Sequence, residues 1–153
     1  MSETLDIAAE PTGTLYAQLL ALAAERCATF SLTWRDQLTY DPSADELAVA
    51  LAPFFIREER TDRWPGTILL GSLATVRHYR LAPDSLRILQ TPSSLYAWRA
   101  PQLPEDIVFY VGSGALWLTT ISHEHDAWFE AATQSVAELQ RRIPGLVLTK
   151  ATQ

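Results

Sequence analysis

The sequence predicts an α+β fold, a mostly antiparallel sheet of about five strands with N-terminal, central and C-terminal helices packed mainly on one face. Three observations lead there. A helical period opens the chain, strict alternation takes over at Phe30, Leu32 and Trp34, and the later apolar runs are joined by short turns that suit hairpins rather than crossovers.

Residues 1–12 are small and polar with a proline at Pro11, and read as a loose tail ahead of a single domain over 13–150. Over 14–27, Leu15, Tyr16, Leu19, Leu20, Leu22, Ala23 and Cys27 recur at steps of three and four, one broad apolar face of a helix that Gly13 or Thr14 would cap. The period then shortens to two, with Thr29, Ser31, Thr33 and Arg35 between the apolar positions, as in a strand with one buried face. Asp41-Pro42-Ser43 is a turn into a short helix, with Ser43 as cap and Glu46 at capping-box spacing; Pro53 stops it.

Residues 54–60 predict a second strand, charged at its end, and Trp64-Pro65-Gly66 a turn. The apolar run over 67–81 predicts the longest strand, placed centrally because both faces of its first half are apolar, with Gly71 at a bulge or a close approach. After a proline-rich stretch with a short helix at 84–89, Ile107, Phe109 and Val111 and then Leu116, Leu118 and Thr120 flank Gly112-Ser113-Gly114, a hairpin signal. Phe129, Ala132, Val136, Leu139 and Ile143 predict a last helix from about Asp126 to Pro144-Gly145, and 146–148 a final short strand.

Composition narrows function by exclusion. Of 153 residues 48% are hydrophobic and 20% charged, an ordinary globular balance. A single cysteine, Cys27, rules out an internal disulfide and a cysteine-based zinc site; with three acids and no Lys or Arg in the first ten residues, a cytoplasmic location is expected, with no export signal. Apolar runs are too short to span a bilayer, so no membrane partner is expected. Twelve Lys and Arg against eighteen Asp and Glu, scattered along the chain, disfavour nucleic acid and suit a basic protein partner.

The densest polar cluster is Ser122-His123-Glu124-His125-Asp126. Two histidines with an acid resemble part of the His-x-His-x-Asp-His metal motif of the metallo-β-lactamase superfamily, although Asp126 follows His125 directly and the closing histidine is missing. That resemblance implies a hydrolase or metal-dependent enzyme using His123, His125 and Asp126. The competing reading is a helix start, with Glu124 and Asp126 at the positive end of the helix dipole. Cys27 lies on the apolar stripe and is read as an inert buried thiol. Gly112-Ser113-Gly114 lacks the Lys-Ser/Thr ending of a phosphate loop.

No residue is assigned as catalytic, no metal ligand is assigned, and no cofactor is expected. Trp64, Tyr96 and Trp98 fall in turns or loops near arginines, the composition of an interface hot spot, and Glu58, Glu59 and Asp62 nearby would steer a basic target. In size, acidity and compactness the chain looks like the small acidic cytoplasmic immunity proteins of bacterial toxin systems, a resemblance without a motif. It implies a non-enzymatic protein-binding module that neutralises a toxin by direct contact. A regulatory or housekeeping subunit, binding a sibling chain or small ligand through an open sheet face, is the remaining alternative.

Overall fold

A computed structural model describes residues 3–152. Eight strands form one antiparallel sheet, more than the sequence suggests, in the spatial order Leu148–Thr152, Glu3–Ile7, Asp126–Glu130, Leu116–Ile121, Glu105–Val111, Cys27–Arg35, Ala74–Arg80 and Phe55–Thr61. The excess comes from both ends of the chain. Residues expected as a tail form β1 (Glu3–Ile7), which lies between β9 (Asp126–Glu130) and β10 (Leu148–Thr152) and pairs with both. Its Leu5 and Ile7 are buried, and that burial is what holds so short a strand.

Helix α1 (Thr14–Arg26) buries Tyr16, Leu19, Leu20, Leu22 and Ala23, the face its period predicts. It ends where β2 (Cys27–Arg35) begins, so Cys27 opens a strand rather than closing the helix. The Cys27 thiol is buried and burial pushes it up to about 12, consistent with an inert role. Helix α2 (Pro42–Leu51) starts with proline in its first turn, and Asp41 stands at the cap in place of Ser43, whose hydroxyl donates instead to the Gln102 carbonyl. A single 3-10 turn then feeds β3 (Phe55–Thr61).

The strand expected over 67–81 is split. Its first part pairs as β5 (Thr67–Ile68) with β4 (Arg63–Trp64) in a separate small hairpin, the chain breaks at Gly71 with φ +81°, and only β6 (Ala74–Arg80) joins the main sheet. The two-sided apolar character therefore reflects a covering loop and not a central strand. Helix α3 (Pro83–Leu89) follows, and β7 (Glu105–Val111) with β8 (Leu116–Ile121) forms the hairpin predicted around Gly112. A register slip opposite Phe109 accommodates one extra residue, and both Trp117 and Leu118 enter the same core.

Asp126 begins a strand, not a helix. Ser122–Glu124 is a 3-10 turn, β9 pairs with β8 and β1, and the last helix, α4 (Val136–Arg142), starts ten residues later with Ser135 accepting from the Glu138 amide. Phe30, Leu32, Tyr79, Ile107, Phe109, Leu118 and Phe129 share one sheet face and pack with α1, Leu47, Leu51 and Leu89 into the main core. The other face is covered as well. Trp64 and Leu69 pack on Ala74 and Val76, Gly66 sits against Trp128 and Ile121, and Val108 and Thr119 beneath are fully buried. No helix among the described residues is long and apolar enough to cross a membrane.

Candidate functional site

The hairpin β7–β8 brings its two outer ends together, so the residues that open β7 meet the turn that closes β8. Glu105 and Asp106 open β7, and His123 lies in the turn. One ligand atom from each lies within 4.8 Å of the others, the only such trio among the described residues. The carboxylates are 2% and 0% exposed, whereas His123 is open to solvent.

Asp106 is the fixed member. Its Oδ1 accepts from the Ser122 amide at 3.0 Å and its Oδ2 from the Trp64 indole N–H at 3.1 Å. Its φ of +55° is a conformation that non-glycine residues adopt rarely, Asp and Asn most readily. Strain of that kind persists where surrounding contacts hold it, and it concentrates at functional positions. Glu105 is half satisfied: Oε1 accepts from the Ala100 amide at 2.8 Å, while Oε2 is buried with no partner. Burial raises both carboxyl groups above their ordinary range, opposed by their hydrogen bonds and by the charges of His123 and Arg35.

Above Glu105 lies a depression of about 520 Å³ whose wall includes Arg35, Arg99, Gln102 and His123. Arg35, at the end of β2, has a buried Nε with no partner and stands 6.0 Å from the Trp64 ring centre. The corner thus combines two buried acids, an accessible imidazole and two guanidinium groups beside a cavity. Such an arrangement can take up a cation on the acid side and an anion on the arginine side.

The sequence cluster His123, His125 and Asp126 is divided by this geometry. His125, with φ +55°, packs on the Tyr96 ring at 5.2 Å and borders a second, wider groove of about 700 Å³. Asp126 pairs with Ile121 in the sheet, and burial with the charges of Asp6 and Glu124 raises its carboxyl. Only His123 joins the acid pair.

The expected interface aromatics lie inside. Trp98 is fully buried and donates its indole N–H to the Tyr16 hydroxyl at 2.9 Å; Tyr96 and Trp64 are 4% and 7% exposed. Their rings pack into the two cores, and Tyr96 also borders the wider groove beside His125. Glu58, Glu59 and Asp62 are at the surface, each already facing a guanidinium: Arg77 at 3.3 Å, Arg57 at 3.7 Å and Arg63 at 2.9 Å. Their field is accordingly reduced.

What the surface does offer is the open side of β3. Every residue from Phe55 to Arg60 is exposed, β3 has a neighbour on one side only, and the large apolar side chains Ile56, Ile68, Leu70 and Leu73 are exposed along it and on the adjoining loop. Glu105 and Asp106 escaped the sequence reading; the available signal was a pair of acids between Pro104 and a run of five apolar or aromatic residues. The chain matches no family model, no curated protein and no solved structure.

Proposed function

We propose that the protein is a binding module for another protein, which docks along the free edge of β3 and the apolar loop beside it. The observation that carries this reading is the edge itself. Seven residues of outer strand have no strand on their far side, and Ile56 within it and Leu70 on the loop after β5 are 50% and 92% exposed. Main-chain pairing to such an edge supplies affinity, and flanking apolar side chains supply specificity. The formal charge of −6 favours a basic partner. Within this class the specific proposal is an immunity protein, which neutralises a toxin domain by covering it.

The test is co-expression with a toxin domain encoded beside the gene. Growth is restored and an equimolar complex is isolated, with residues 55–61 gaining protection from hydrogen exchange. Ile56→Lys and Leu70→Lys, both at solvent-facing positions, leave stability unchanged within about 0.5 kcal/mol and weaken the complex at least about ten-fold, a loss of about 1.4 kcal/mol. Undiminished binding by both variants overturns the docking site. A neighbouring gene of metabolic type counts against the immunity reading.

A further inference from the structure

We infer that Glu105, Asp106 and His123 bind one divalent transition-metal ion, Zn²⁺ in the first instance, independently of any protein partner. The trio alone would be a weak argument, because acidic clusters are common. Two further facts point to an ion. The Oε2 atom of Glu105 is buried, belongs to a residue 2% exposed, and has no hydrogen-bond partner. An acceptor left bare in the interior costs free energy, and a cation at that oxygen removes the cost. Asp106 is held by two N–H donors on its two oxygens, yet each oxygen keeps a second lone pair. Hydrogen bonds behind a ligating carboxylate are the usual means by which a protein aims it.

The donor set decides the class of ion. Two carboxylate oxygens with one imidazole nitrogen make a mixed set that suits Zn²⁺ and its first-row neighbours better than Ca²⁺ or Mg²⁺, which prefer oxygen alone. Ligand atoms within 4.8 Å of one another require only a small closure to surround an ion at about 2.0–2.2 Å. Three protein ligands leave a coordination position for water, and two of them, Glu105 and His123, line the depression of about 520 Å³. Arg35 and Arg99 in its wall compensate an anion that takes the water's place. The charge sum is coherent: two carboxylates and a dication are neutral, so the arginines are left to the incoming ligand.

The experiment measures Zn²⁺ bound by untagged protein, by elemental analysis after dialysis and by titration calorimetry, with Mg²⁺ as the contrasting ion. The wild type binds one equivalent of Zn²⁺ and prefers it to Mg²⁺. His123→Ala, an exposed change that the fold tolerates, weakens binding at least about ten-fold, and so does the near-isosteric Glu105→Gln. His125→Ala, which lies against Tyr96, binds as the wild type does. A folded wild type without stoichiometric Zn²⁺, or His123→Ala with unaltered affinity, overturns the inference. Because no partner is present in the assay, its failure leaves the docking proposal untouched, and the reverse holds.

Discussion

Replacing Tyr16 by phenylalanine removes one oxygen from the interior and breaks a chain of two hydrogen bonds. The Tyr16 hydroxyl donates to the Leu89 carbonyl at 2.6 Å and accepts from the Trp98 indole N–H at 2.9 Å. Tyr16 is 2% exposed and Trp98 fully buried, so water does not replace the lost partner. Burial holds the phenol protonated well above its ordinary range, which keeps it a donor at every accessible pH. Two polar groups are then stranded, each at about 1–3 kcal/mol, and allowing for relief of the hydroxyl's own desolvation the expected loss is about 2–4 kcal/mol. With a urea slope near ~2 kcal/mol per molar, the midpoint falls by about 1–2 M at unchanged slope. Trp98→Phe removes the donor from the other end, and the double variant loses less than the sum of the two singles by at least about 0.5 kcal/mol. A Tyr16→Phe midpoint within about 0.25 M of the wild type would refute the reasoning, because the indole would then have been no part of a paired interior.

Burial raises the Glu105 and Asp106 carboxyls, so between the ordinary carboxylate range and those raised values the folded chain binds more protons than the unfolded one; stability falls as pH rises through that window, and the penalty is complete above it, where both are carboxylates. In EDTA, Glu105→Gln is therefore more stable than the wild type at pH 7 and equal to it below about pH 4, by thermal unfolding; a gap of the same size at both pH values would show that charge is not its cause. Gly66 has φ +89°, and a Cβ there would lie 3.1 Å from Trp128 and 3.2 Å from Ile121, so Gly66→Ala lowers Tm by roughly 2–8 °C. Gly112→Ala, with open space around it, serves as the control and leaves Tm unchanged.

Legibility in the sequence followed the range of the forces. Helix α1 and the hairpin β7–β8 are specified locally, by a 3.6-residue stripe and by alternation across a glycine turn, and both are where the sequence puts them. Strand β9 was hidden because Phe129, Ala132, Val136, Leu139 and Ile143 fit a helical period, while Ala127 and Phe129 provide only two alternating positions. Pairing with β8 on one side and β1 on the other decides the matter, and β1 lies more than a hundred residues away in the chain. The acid pair was hidden for a similar reason. Acids next to proline normally face water; here a tryptophan 42 residues earlier in the chain and an amide 16 residues later keep Asp106 inside.

The same tryptophan bears on how any interface experiment is read. Trp64 belongs to the hairpin β4–β5, packs on Ala74 and Val76, and holds Asp106 through its indole N–H. The loop that follows β5 carries the exposed Leu70 and Leu73 and leads into β6, the paired neighbour of β3. Loss of the Trp64 side chain would free this loop and strand Asp106 in one step. A Trp64→Ala variant that fails to bind a partner therefore says nothing about whether the ring touches that partner, since 7% exposure leaves it almost no surface to offer. Ile56→Lys changes only the docking edge, and His123→Ala changes only the acid corner. Comparing those two variants separates recognition along the sheet edge from ion binding, and Trp64, which is joined structurally to both regions, cannot make that separation.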